Sequence, residues 1–243
     1  MCGKFTAMFS WRQVWEFSQP LTITPKDGGP DEEVTYRTGG PLPVIIFDKT
    51  TGERRVVSMR WGYDDPRTPG KLKHMHVRSE TIEEKPMFRD SFLVGQRGIV
   101  VFKTFNEGEE VPTKPGKSRT IQWTIDPEDG HPRGFAFLWK EFGTPEKPDT
   151  RCVMVTVPAN ELIRRDIQYN QDDPRMPAIL RGESESQDWC LWLGQDRAPL
   201  DDIKAVLQTL EGVSWKTAPE PKQKPEKPKP PRGQTPSQEP DLF

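Results

Sequence analysis

Short runs of β-branched and aromatic residues, each closed off by turn residues, dictate most of what this chain can fold into. VIIF (44–47) and RRVVSMRWG (54–62) flank DKTTGE, which has turn composition, so the two runs read as a β-hairpin. GIVVFKTF (98–105), RTIQWTI (119–125), GFAFLW (134–139) and CVMVTV (152–157) are further strands. Helical candidates are fewer: WRQVWEFS (11–18), a segment around 85–93, PANELIRR (158–165), SQDWCLWL (186–193) and LDDIKAVLQTL (200–210). The last carries Ile203, Val206, Leu207 and Leu210 at helical spacing, with Asp201 and Asp202 near its positive end. Strands interleaved irregularly with short helices predict an α+β fold: a curved, barrel-like, mainly antiparallel sheet with short peripheral helices.

Composition divides the chain in two. Of 243 residues, 33% are hydrophobic and 30% charged, and part of that dilution comes from one end. From Thr217 onward proline, lysine and glutamate alternate, and the large apolar side chains are held back to Leu242 and Phe243. Such a segment buries too little apolar surface to offset its ordering entropy. Residues 1–216 are therefore expected to form one domain and residues 217–243 a disordered tail. The formal net charge of −2 gives no whole-molecule attraction to nucleic acid, so a DNA binder of this composition needs a local basic patch. Cys2, Cys152 and Cys190 are too few and too scattered for a disulfide framework or a zinc site. GxGxxG, P-loop and HExxH patterns are absent, so neither a cofactor nor a metal is expected. The sequence has no long apolar run and no signal-peptide pattern, which points to a cytoplasmic, reducing setting without a membrane span.

Three stretches carry chemistry. The chain begins MCGKF, and removal of Met1 would leave Cys2 with both a free α-amine and a thiol. Such groups have ordinary pKa values of about 8 and about 8.5, so both are partly nucleophilic near neutral pH. HMHVRSET (74–81), if extended, puts His74, His76, Arg78 and Glu80 on one face and Met75 and Val77 on the other. That face offers phosphate binding through Arg78 and proton transfer through His76. Finally, the apolar run in RGIVVFKTFNEGEE (97–110) leads into Asn106, Glu107 and Gly108, and a carboxylate ending a buried strand is well placed for a site.

Taken in order, these pieces resemble the SOS response-associated peptidase (SRAP) family. MCGKF is similar to the family's MCGRF, SMRWGY (58–63) to MRWGL, and HVRSETI with PMFRDSF (76–92) to NARSET…FRDAF. RGIVVFKTFNEG is similar to RCLIPADGFYEW, which puts Glu107 on the family's active-site glutamate. GFAFLWKEF (134–142), VTVPAN (155–160) with its Thr156, PRMPAIL (174–180) and QDWCLWL continue the likeness to about Trp215. The resemblance implies a DNA-damage protein that exposes Cys2, binds single-stranded DNA and captures the aldehyde of an abasic site. The amine would form an imine and the thiol would close a thiazolidine, leaving a DNA–protein crosslink, with Glu107 moving protons and Gly3 letting the backbone approach the sugar. Arg60, Lys71, Lys73 and Arg78 are the expected phosphate contacts, with Thr156 beside them. A nucleoid-associated location in the cytoplasm follows from that reading.

The departures define a divergent branch. The family's asparagine in NAR is His76 here. Its histidine ahead of DRMP is missing, and a longer QYNQDDP stretch offers Gln168, Asp172 or Asp173 as stand-ins, with His76 a fourth candidate. The apolar residues that follow RWGL in the family are replaced by YDDPRTPGKLK, where Arg67, Lys71 and Lys73 partly offset two aspartates. Two other readings share these residues. One is a cysteine peptidase or amidohydrolase with an N-terminal nucleophile, and the other is a non-catalytic adaptor for single-stranded DNA or the replisome. Asp241, Leu242 and Phe243 are similar to the peptides that dock bacterial replication proteins on the sliding clamp, which makes a clamp a candidate partner.

Overall fold

The β-branched runs become strands because each presents one face to a shared apolar interior. The computed structural model describes residues 3–7, 18, 19 and 34–220. Met1, Cys2, residues 11–17 of the first helical candidate, and the tail from residue 221, including Asp241, Leu242 and Phe243, lie outside that description. In chain order the first strands are β1 (Lys4–Ala7), β2 (Val34–Arg37), β3 (Pro41–Asp48) and β4 (Glu53–Trp61). β3 and β4 form the expected hairpin, antiparallel from Pro41↔Arg60 to Asp48↔Glu53. A small two-stranded sheet follows, β5 (Tyr63–Asp65) with β6 (Thr68–His74), then β7 (His76–Arg78) and helix α1 (Pro86–Val94). β8 (Arg97–Phe102), β9 (Thr104–Lys114), β10 (Lys117–Pro127), β11 (Arg133–Thr144) and β12 (Lys147–Pro158) come next. The remaining elements are β13 (Arg175–Pro177), β14 (Ile179–Leu180), α2 (Gln187–Leu193), α3 (Leu200–Ala205) and β15 (Trp215–Pro219).

Five of these strands close on themselves. β3 pairs with β4 and β8, β8 with β11, and β11 with β12. β12 then returns to β4 through a short parallel contact at Arg151↔Arg60 and Cys152↔Trp61. Ring closure leaves these strands no open edge. A second sheet runs β15–β10–β9–β1–β2. Aromatic rings seam the two sheets together: Phe5 of β1 lies 5.4 Å from both Trp61 and Phe135 of the barrel, and Phe105 of β9 lies 5.9 Å from Phe102 and Phe135. The α+β barrel expected from the sequence is therefore present, mainly antiparallel, with the helices at its periphery.

Four local expectations need correction. GIVVFKTF is not one strand; it breaks at Lys103, so that Arg97–Phe102 belongs to the barrel and Thr104–Lys114 to the second sheet. LDDIKAVLQTL is helical only to Ala205, and the Thr209 hydroxyl donates to the Pro158 carbonyl instead. Val206, Leu207 and Leu210 are nevertheless buried, so their spacing reported burial rather than helix. PANELIRR does not continue as an ordinary α-helix but widens into a π-helical turn over Ile163–Ile167. Residues 217–219, expected to begin the tail, instead form the end of β15.

Helix α2 seals one barrel face, where the Trp192 indole N–H donates to the Gly98 carbonyl at 2.9 Å. Trp189 lies flat enough on β11 that a Cβ at Gly134 would sit 2.5 Å from its ring and 2.6 Å from Ile99. Gly134→Ala should therefore destabilise the fold by about 1–3 kcal/mol, as overpacking does. Denaturant unfolding of the variant checks this, and an unchanged midpoint contradicts the packing described.

Candidate active site

The strand break at Lys103 is what creates the site. Four residues beyond that break between the sheets, β9 presents Glu107, which is fully buried. β1 pairs with β9 at Phe5↔Phe105 and Thr6↔Thr104. Extended two positions past Phe5, that register leads Gly3, the residue after Cys2, toward Glu107. Among the described residues nothing stands within 4 Å of the position a Gly3 Cβ would take.

A buried carboxylate needs hydrogen-bond donors. Gln168 supplies one: its side-chain amide donates to Glu107 Oε2 at 2.8 Å and to the Arg175 carbonyl at 3.0 Å. The Arg175 backbone N–H donates to Gln168 Oε1 at 2.7 Å, which fixes the amide orientation because an N–H can point only at the oxygen. Gln168 is itself buried, and it is delivered by the π-helical turn, whose widened ring has the Gln168 N–H donating to the Ile163 carbonyl. Arg175 is the next link. Its guanidinium makes two 2.7 Å bonds to the Glu80 carboxylate and a 2.8 Å bond to the Thr156 carbonyl. The forked bond to Arg175 holds the Glu80 carboxyl below its ordinary range.

This chain of contacts gathers most of the stretches singled out from the sequence. HVRSE, NEG, VTVPAN and the QYNQDDPRMP segment meet around Glu107, Gln168, Arg175 and Glu80. Of the candidates for the missing histidine, Gln168 donates a hydrogen bond to Glu107. Asp172 is exposed, and Asp173 pairs with Arg78 at 2.6 Å. The His76 ring stands edge-on to Trp61, at 6.2 Å. Thr156 is buried between β7 and β13, with its hydroxyl donating to the Val77 carbonyl, so its side chain supports the site from within. Arg175 was not singled out in advance, although PRMP was among the matched segments; the forked pair it makes joins residues 95 positions apart.

Most of the expected phosphate-binding cations already have partners. Arg60 faces Asp64 at 3.4 Å, Lys73 faces Asp65 at 3.0 Å and Arg78 faces Asp173. Lys71 has no ion pair among the described residues. These pairs are on the surface, where each contributes only about 0–1 kcal/mol, so a phosphate can replace the aspartate at little cost. Of the two described cysteines, Cys152 is fully enclosed and burial pushes its thiol well up, out of nucleophilic reach. Cys190 is bonded from the buried Arg54 guanidinium at 3.7 Å. Among the described residues no group of side chains is arranged to hold a metal ion, and no helix is long and apolar enough to cross a membrane.

Known proteins resemble this chain over most of its length. The family described as SOS response associated peptidase (SRAP) matches residues 1–221. The abasic site processing protein YoqW of Bacillus subtilis (strain 168) is 27% identical over 215 residues, covering 87% of this chain and 88% of that protein. The protein of the same name from Bacillus phage SPbeta matches equally. A solved structure of a protein from Bacteroides thetaiotaomicron shares the fold with a TM-score of 0.70 at 17% identity, covering 91% of this chain and 93% of that one.

Two tests follow from the site. Gln168→Leu removes the donor to Glu107 and the acceptor of the Arg175 N–H, and should cost roughly 1–3 kcal/mol for each buried group left unmet. Glu80→Gln tests the forked pair through pH. The Glu80 carboxyl is held below its ordinary value of 4.5, so the charged pair contributes fully above that pH and its contribution fades as pH falls through the lowered value. The melting temperature of Glu80→Gln should thus lie below that of the unaltered protein at neutral pH and converge with it in acid. A gap that persists unchanged in acid contradicts the charge pairing.

Proposed function

Because the chain belongs to the SOS response associated peptidase family, we propose that it processes abasic sites in DNA and captures them covalently through Cys2. The observation that carries this reading is the fully buried Glu107, toward which the β1–β9 register leads the residue that follows Cys2. Once Met1 is removed, the Cys2 amine attacks the ring-opened aldehyde, and loss of one water gives an imine. The thiol sulfur then bonds to the imine carbon and its proton passes to the nitrogen, closing a thiazolidine. Glu107 serves as general base for the amine and general acid for the departing water. A buried carboxylate at this point makes proton transfer independent of bulk solvent. Gln168 is a neutral donor to Glu107, which leaves His76 as the group proposed to move the second proton. Gly3, with open space where a side chain would stand, admits the sugar. Arg60, Lys71, Lys73 and Arg78 form the proposed phosphate face, exchanging their aspartate partners for DNA.

The test is a single-stranded oligonucleotide carrying one abasic site, mixed with the protein and resolved under denaturing conditions. The unaltered protein should give a shifted band. Cys2→Ala should give none while keeping reversible binding, and Cys2→Ser should give a band only when borohydride traps the imine. Glu107→Gln should slow crosslinking by about a hundredfold or more. Full crosslinking by Cys2→Ala overturns the chemistry, and turnover of a peptide without any crosslink favours the hydrolase reading instead.

A further inference from the structure

The longest hairpin in the molecule has a property the proposed chemistry does not use. β9 and β10 stay paired from Phe105↔Ile125 out to Lys114↔Lys117. β10 is joined by β15 only at Trp123–Pro127, and β9 by β1 only at residues 104 and 105. Beyond Glu110 and Thr120 the two strands have only each other among the described residues, and residues 112–120 are exposed on both faces. A two-stranded ribbon with no apolar face is marginal in water. From Val111 to Ile125 its charged residues are Lys114, Lys117 and Arg119, with no acid among them. Lys114 and Lys117 are directly opposite, a like-charge pairing that disfavours the bare ribbon. None of the three cations has an ion pair among the described residues, in contrast to Arg60, Lys73 and Arg78.

The root of this ribbon is the site. Glu107 is its fourth residue, and Lys114 lies seven residues further on, roughly 23 Å along an extended strand. The 168–171 segment grips the root: Asn170 donates to the Glu110 carbonyl and Gln171 to the Gly108 carbonyl. Tyr169 stands there with 55% of its surface exposed, its hydroxyl 3.4 Å from Glu109. It is the one exposed aromatic ring among the described large hydrophobics. An unpaired cationic strip leading away from an exposed ring is the combination that holds single-stranded nucleic acid, with phosphates on the cations and a base on the ring.

We propose that the β9–β10 ribbon is a clamp for the single strand that flanks the captured site, with Lys114, Lys117 and Arg119 on its phosphates and Tyr169 stacking a base at the root. The inference rests on the DNA reading above. It is tested by anisotropy with full-length protein and unmodified oligothymidylates of about 15 and 3 nucleotides, spanning and falling short of ordinary single-strand site sizes. Lys114→Gln/Lys117→Gln/Arg119→Gln should bind the longer strand about tenfold or more weakly, and its log–log salt slope should fall by roughly 2, at ~0.7 per phosphate contact. The difference should shrink for the trinucleotide. Tyr169→Ala should bind about tenfold more weakly, and Tyr169→Phe should restore affinity because stacking needs the ring and not the hydroxyl. Equal affinity and equal salt slope for the triple variant overturn the clamp, as does an unaltered protein that binds neither oligonucleotide. An unaltered protein that binds these strands but forms no crosslink with an abasic one overturns the covalent reading alone.

Discussion

The hydrogen bond from Gln168 to Glu107 is the contact on which the arrangement of the site depends. A carboxylate without solvent exposure is costly unless a donor meets it, and this donor is carried on a segment 61 residues away. Gln168 can reach only because the π-helical turn ends where it does and because Arg175 takes up the other side of its amide. Arg175 is in turn anchored by Glu80 and the Thr156 carbonyl. A single polar chain thus ties β7, β9, β12 and β13 to one carboxylate, and it uses neutral amide and backbone groups at the reacting end with the full charges one step removed.

Around that chain the two sheets play different parts. The closed barrel packs a largely apolar interior, and its aromatic seam with Phe5 and Phe105 fixes where β1 lies. On the opposite face of the second sheet, Glu220 accepts from Lys4 and from Asn106 at 2.8 Å, and Asn106 also donates to the Thr124 hydroxyl at 3.0 Å. The end of β15 is therefore strapped across β10 and β9 to the strand that leads out of the N-terminus. In the family reading the nucleophile is the N-terminus itself, so a chain end that would otherwise fray is held by packing on one side and by this polar strap on the other.

The barrel strands were legible in the sequence because Val, Ile and Phe runs bounded by turn residues leave little choice of structure. The break at Lys103 was not, since nothing in the composition of FKTF marks a change of sheet; the strand bends because Phe102 and Phe105 must face the same seam from two sheets. Burial of Val206, Leu207 and Leu210 was legible, but helical spacing alone did not reveal that Thr209 would end the turn on Pro158. Residues 217–219, Thr-Ala-Pro, looked like tail because a run rich in proline and lysine follows directly, yet an edge strand tolerates a terminal proline. At the site, a carboxylate ending a buried strand was legible at Glu107, whose burial the structure shows. Gln168 could only be named beside His76, Asp172 and Asp173, because choosing among them requires knowing which side chain a turn directs inward.

The central claim is that Cys2, supported by Glu107, becomes covalently joined to an abasic site. Intact-mass measurement of the purified protein after reaction with an abasic single strand addresses it directly. The expected product has the mass of the protein without Met1 plus that of the oligonucleotide less one water, and proteolysis should place the added mass on the peptide beginning at Cys2. An adduct located on any other residue, or a protein that keeps Met1 and still forms the adduct, contradicts it.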